Sequence, residues 1–199
     1  MAETWLDFKN FPAKVAELNR LYKELGELSD LRLRTGDARD VARWEDAARR
    51  LHELEERKFH IFESARFLEA LATGEAEARK CAIKFLEFDP YYFRSGYMKA
   101  KLLTRLKHLV LTPDEVCRLQ CVVVAAILAP LPKCEFKYYA RLLTKIGSPE
   151  FREQLRTLRV PDIPYLQARR ARCLQVLDDH EYHGAPSCLK MQEGRGQSC

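Results

Sequence analysis

Glycine is scarce in this sequence, with eight residues among 199, while Leu, Ala, Glu, Arg and Lys dominate the interior of the chain. These residues favour helix, whereas strands are enriched in β-branched and aromatic residues. The chain is 47% hydrophobic and 32% charged, which is ordinary for a globular protein and argues against wholesale disorder. We therefore predict an all-α fold with a real hydrophobic core.

Long apolar runs are also absent. The longest, residues 121–131, is far too short to cross a bilayer. The first ten residues contain acids and no apolar core, so we expect no secretory signal. Ala2 is incompatible with N-myristoylation, and Cys199 is not placed for prenylation. We expect no membrane partner and a location in the cytoplasm, the nucleus or both.

Catalytic signatures are missing as well. The sequence contains no G-x-x-x-x-G-K or G-x-G-x-x-G stretch, and no Ser or Cys lies in a recognisable nucleophile motif. Adjacent acids such as Asp178 and Asp179 point to different sides of a helix, so they do not form a catalytic pair. We expect a protein that is not an enzyme and that uses no cofactor.

The seven cysteines are an odd number, and most lie inside helical patterns, so we interpret them as reduced thiols. Cys117 and Cys121 have a spacing that could supply two zinc ligands, completed by Cys81 or Cys134. Their apolar neighbours favour buried core thiols instead. A second metal-like group lies where helical periodicity ends, and we predict no metal site there either: Asp178, Asp179, His180, His183 and Cys188.

Residues 1–72 have the pattern of an N-terminal helical hairpin with a long second helix. Pro12 suits the first position of a helix that we expect to end near Glu24, with Gly26 as the stop and residues 31–36 as a connector. A second helix is predicted over 37–71, charged in its first half and apolar in its second. A break near residues 57–58 is left open.

Residues 73–179 divide into about three antiparallel helix pairs that open near Glu75, Pro113 and Pro149. The strongest local signal is Thr112-Pro113-Asp114-Glu115, a capping box for a helix that is apolar nearly all round and therefore buried. A period of about 36–38 residues is typical of an α-solenoid. Over residues 75–178 the layout resembles HEAT- or armadillo-like repeats in architecture, and an irregular helical bundle is the alternative. Residues 180–199 are predicted to be a disordered tail.

The most distinctive stretch is 89–110, in which Asp89-Pro90 breaks one helix and Ser95 is a plausible N-cap for the next. One arc of that helix is apolar, with Lys99 inside it and expected to extend its amine to solvent. The apolar arc comprises Met98, Leu102, Leu106, Leu109 and Val110, and the opposite arc comprises Arg94, Tyr97, Lys101, Arg105 and His108.

These residues are the candidate partner-binding set of a mildly basic protein with a net charge of +5. We expect Tyr91, Tyr92 and Phe93 to anchor a partner, and Tyr97, Lys101, Arg105 and His108 to set its polarity. Arg94, Arg169 and Arg170 complete the set. A second basic group consists of Arg169 and Arg170 together with Arg152, Arg156, Arg159 and Arg172.

Three interpretations of this set remain open. The first is an adaptor or scaffold that binds an acidic or amphipathic segment of a protein. The second is an accessory protein that holds RNA or DNA phosphates while its rings stack on bases. The third is a solvated basic face whose aromatic residues only wedge the helix against its neighbours.

Overall fold

In a computed structural model of the protein, residues 5–6 and 8–180 are described, with the backbone alone at 57 and 58. This part of the chain contains nine α-helices, one 3₁₀ helix and no strand, which confirms the all-α class. The helices are α1 (Phe11–Thr35), α2 (Ala38–Lys58), α3 (Ala65–Ala72), α4 (Ala76–Phe88), α5 (Ser95–Leu106), α6 (Pro113–Leu128), α7 (Phe136–Ile146), α8 (Pro149–Thr157) and α9 (Pro164–Asp178).

The first helix is longer than the sequence pattern predicts. α1 continues through Gly26 and ends only at Gly36, whose φ of 63° gives it the left-handed conformation that favours glycine. The expected stop at Gly26 and the connector over 31–36 are therefore wrong. Leu21 and Leu28 are buried on either side of Gly26, and packing along α2 outweighs the weak helix propensity of one glycine.

The predicted helix over 37–71 is broken, and the break near residues 57–58 is confirmed. α2 ends at Lys58, a 3₁₀ turn spans His60–Glu63, and α3 begins after Ser64, whose hydroxyl accepts a hydrogen bond from Phe67 N. The break turns the rings of Phe62 and Phe67 into the core, where Phe62 lies 4.2 Å from Phe85 between ring centroids. Burial of these rings favours the turn over a continuous helix.

The remaining helices begin and end close to the predicted bounds, and α4 contacts α5, α6 contacts α7 and α8 contacts α9. The capping box of α6 is confirmed, since Thr112 and Glu115 exchange side-chain to backbone hydrogen bonds. α6 contacts α4, α7 and α9, while α5 contacts α7, and α7 contacts α9. One continuous hydrophobic cluster extends from Phe11 to Leu177, so residues of both predicted domains share a core. The solenoid-like arrangement of the pairs stays a prediction.

None of the described helices combines the length and the apolar character that a membrane span requires. The predicted tail, apart from His180, lies outside the described residues.

The two glycines of the hairpin give opposite predictions for the same substitution. Gly26→Ala should raise the free energy of unfolding by up to about 1 kcal/mol, because the site is helical and nothing lies within 4 Å of the new Cβ. Gly36→Ala should lower the free energy of unfolding by about 1–2 kcal/mol, because its φ is positive. Urea denaturation of both variants and the wild type measures these two changes in the free energy of unfolding. Equal effects would mean that α1 ends elsewhere.

Candidate partner-binding groove

An open groove of about 740 Å³ lies where the loop after α4 faces the loop after α6. One wall comes from residues 89–94 and the first turns of α5. The other comes from residues 129–135 and the first turn of α7. The groove therefore lies at the N-terminal ends of α5 and α7, two helices that pack against each other.

The first wall is aromatic and exposed. Tyr91, Phe93 and Tyr97 have 67%, 65% and 74% of their surface accessible. The Phe93 ring packs against the ring of Tyr22 in α1, with 5.4 Å between the ring centroids. Asn19 of α1 donates a hydrogen bond to the Tyr91 carbonyl at 2.8 Å. The hairpin thus supports the loop from behind and leaves the rings of Tyr91 and Tyr97 presented to the groove.

Tyr92, which the sequence placed among the anchors, lies in the core instead. Its ring is 4.8 Å from that of Phe59, and its hydroxyl lies 3.0 Å from Met98 Sδ. Ser95 is not the N-cap of α5 either: Arg94 occupies that position with a φ of 68°, and Ser95 Oγ accepts a hydrogen bond from Tyr92 N. Burial removes the Tyr92 side chain from the candidate partner surface and raises its pKa.

The second wall, Pro130-Leu131-Pro132, is held by a buried arginine. The Arg169 guanidinium donates hydrogen bonds to the carbonyls of Ala129 at 2.7 Å and Leu131 at 2.8 Å. These groups follow the end of α6, where carbonyls lack partners within the helix. Tyr165 adds a hydrogen bond to the Pro130 carbonyl at 2.6 Å. Arg169 is only 7% exposed, so it positions this wall and does not belong to the partner surface.

The floor of the groove contains a cluster of compensated charges. Asp89 accepts from Lys99 Nζ at 2.6 Å with one carboxylate oxygen and from Lys133 Nζ at 2.5 Å with the other. Glu135 Oε1 lies 3.8 Å from Lys99 Nζ. Lys99 is 1% exposed, so the expectation that its amine reaches solvent is wrong. Burial lowers the pKa of the Lys99 ammonium, and the bond to Asp89 opposes that shift.

Close packing on the groove floor explains why residue 96 is a glycine. A Cβ on Gly96 would lie 3.1 Å from Glu135 Oε2, so the carboxylate occupies the space that a side chain would need. Gly96 thereby lets the start of α5 approach the loop before α7. The two walls are joined through this contact and through Asp89.

Apart from the buried Lys99, the cations of α5 lie on its outer face, as the sequence predicts. Arg94 and Lys101 are half exposed, and both approach the same carboxylate, Glu63, at 3.3 and 3.6 Å. Arg105 is half-buried, and His108, beyond the end of α5, is exposed. Val110 was assigned to the apolar arc, but it lies four residues after α5 ends and is 86% exposed.

The contribution of α7 to the groove is not among the features predicted from the sequence. Tyr138 lines the groove, and the Lys137 ammonium and Arg141 guanidinium lie 5.2 and 5.7 Å from its ring centroid. The signal was present in the sequence, because Lys137, Arg141 and Lys145 recur every fourth residue on a helix that contains no acid.

The second basic group mostly secures the last helix pair. Arg170 donates to the Leu158 carbonyl and to Gln167, while Arg152 and Arg156 both pair with Asp178. The guanidinium of Arg170 therefore joins α9 to the preceding loop. Arg159 and Arg172 are exposed.

The cysteines have ordinary environments. Cys81, Cys117 and Cys173 are buried, Cys121 and Cys134 are exposed, and none of these five described cysteines forms a disulfide. Burial raises the pKa of the Cys81 thiol to about 12. Within residues 5–6 and 8–180, no group of three or more His, Cys, Asp or Glu side chains is placed to hold a metal ion. His183 and Cys188 of the candidate tail cluster lie outside the described residues.

No protein-family model, curated protein or solved structure matches this chain.

Charge compensation on the groove floor predicts unequal effects of two substitutions. Asp89→Asn should lower the free energy of unfolding by about 2–4 kcal/mol, because it leaves two largely buried ammonium groups without that carboxylate. Asn tolerates the left-handed backbone of this position, where φ is 44°. Lys99→Met should cost less than about 1 kcal/mol, because it removes the buried charge and leaves Asp89 paired with Lys133. Guanidinium denaturation of both variants measures these losses. An equal loss of unfolding free energy in the two variants would contradict the prediction.

Proposed function

We propose that this protein is a non-catalytic adaptor or scaffold that holds an acidic, amphipathic segment of a partner protein in the groove. The observation that carries the proposal is the exposure of Tyr91, Phe93 and Tyr97, each about two-thirds accessible, in one concave site opposite Leu131. Contiguous exposed apolar surface on a folded protein marks interaction sites. Aromatic side chains are also the residues that most often dominate binding energy.

The cations around the groove suit an acidic partner. Arg94 and Lys101 share Glu63, and their side chains are about half exposed. The exposed sides of both cations leave room for a partner carboxylate beside Glu63, whose own side chain is only 15% exposed and keeps its place. Lys137 lies on the opposite wall with no carboxylate within 4 Å among the described residues. An apolar segment that also carries acids therefore meets complementary groups on both walls.

Both walls are fixed before a partner arrives. Asn19 and Tyr22 support the aromatic loop, while Arg169 and Tyr165 hold the proline loop through backbone carbonyls. A binding site that is already ordered loses little conformational entropy on association. This support favours a preformed binding site. A basic face that is merely solvated would not need it.

Nucleic acid is the second candidate, since exposed rings can stack on bases while cations hold phosphates. Tyr91 and Tyr97 are available for stacking, and Lys101, Arg105 and His108 follow on the same helix and the turn after it. The second wall weighs against this candidate, because the side chains of Pro130, Leu131 and Pro132 offer a phosphate backbone no hydrogen-bond donor and no charge. A protein segment can place apolar groups there instead.

A groove-specific double substitution tests the proposal. Peptides are selected from a random 16-residue phage library on the full-length wild type, and their affinities are measured by fluorescence anisotropy. Tyr91→Ser/Tyr97→Ser should weaken the selected peptides more than tenfold, because it removes two apolar contact surfaces. Val110→Ser is the control, since it removes an even more exposed apolar side chain outside the groove lining. Equal loss in both variants, or recovery of no peptide, would overturn the proposal.

The nucleic-acid candidate is tested with a mixed-sequence RNA at two salt concentrations. The wild type is compared with Lys101→Glu/Arg105→Glu after its helicity has been checked by circular dichroism. For a protein-binding groove we expect no micromolar binding of this RNA. Micromolar binding that falls steeply with salt and with the charge reversal would replace the adaptor with a nucleic-acid-binding protein.

A further inference from the structure

The basic charge of this protein is concentrated on two neighbouring helices. α5 and α7 each contain three basic residues and no acid, whereas α2 contains six of each sign. On α1 and α2 most arginines have an acid three or four residues away, as Arg20 has Glu17 and Glu24. α5 and α7 have no such internal compensation.

The cations on these helices form two rows that begin at the groove. On α5, Lys101 and Arg105 follow the groove residue Tyr97 at intervals of four. On α7, Arg141 and Lys145 follow the groove residue Lys137 at the same interval. Residues four apart lie on one helix face, so each row continues the face that opens into the groove. Because α5 packs against α7 and both present their first turns to the groove, the rows run away from it side by side.

The rows are almost free of compensating charge. Among the described residues, no carboxylate lies within 4 Å of the charged groups of Arg105, Arg141 or Lys145, and Lys101 has only Glu63 at 3.6 Å. Arg141 and Lys145 are exposed, while Arg105 is half-buried. Like charges four residues apart on one helix repel one another in the free protein. An acidic ligand relieves that repulsion, and this electrostatic complementarity identifies the chemistry of the occupant.

We infer that the partner segment has two parts, an apolar part in the groove and an acidic run that leaves the groove along the α5/α7 rows. This inference rests on the proposed function and adds the order of the two parts. Lys137 and Lys145 are eight helical residues apart, or about 12 Å along the axis. An extended chain covers that length in about four residues. The acidic run therefore begins directly beside the apolar part and extends over about four positions.

The peptide library supplies the first test. We expect the selected sequences to share an apolar cluster, with aromatic or proline residues, flanked on one side by three or more Asp or Glu within about five positions. A shared apolar cluster without acids, or with acids scattered on both sides, would overturn the two-part segment.

A charge reversal outside the groove supplies the second test. Arg105→Glu/Lys145→Glu changes two row residues that do not line the groove. It should weaken a selected peptide more than tenfold at low salt, and it should change the affinity of the same peptide without its acids by less than twofold. The charge-matched control is Arg34→Glu/Arg39→Glu at the tip of the hairpin, where both side chains are exposed. Circular dichroism checks that each variant keeps its helicity.

The outcomes separate this inference from the proposed function. If selected peptides lose affinity in Tyr91→Ser/Tyr97→Ser but bind equally with and without their acids, the groove is a binding site and the acidic run is wrong. If no peptide depends on the groove residues, both fail together. If Arg34→Glu/Arg39→Glu weakens the acidic peptide as much as the row reversal does, net charge explains the binding and the row assignment is overturned.

Discussion

Asp89 is the residue on which the groove depends. It ends α4 in a left-handed conformation and offers one carboxylate oxygen to Lys99 of α5 and the other to Lys133 in the loop before α7. Two ammonium groups can be buried there only because a carboxylate lies between them. The same contact fixes the distance between the aromatic loop and the proline loop. Loss of this one charge therefore loosens both walls at once.

Most helix boundaries could be predicted from local chemistry. The capping box at Thr112, the prolines that open α6 and α8 and the Asp89-Pro90 break all act through neighbouring backbone groups, which a sequence displays directly. Gly26 is ambiguous in the sequence, because glycine suits a helix end and, at a cost of about 1 kcal/mol, also a helix interior. Only packing along α2 decides between these, and packing is a tertiary property.

The candidate site was harder to predict, because residues of one type have opposite roles. Arg169 is buried against carbonyls that follow α6, whereas Arg141 on the neighbouring helix is exposed with no carboxylate near it. Tyr92 packs against Phe59, whereas Tyr91 and Phe93 on either side of it are exposed. The sequence identifies a cluster of rings and cations, and the fold decides which of them remain available to a partner.

The described chain thus separates its charges into two classes. Where a cation must be buried, as at Lys99, a carboxylate or a set of carbonyls accompanies it. Where α5 and α7 meet solvent, cations recur every fourth residue without acids between them. Nothing in the packing of either helix requires this pattern, because the exposed face makes no contribution to the core. A polar face that mixed acids with bases, as α2 does, would fold as well and repel itself less. The unbalanced face is therefore the surface whose repulsion the proposed acidic segment would relieve.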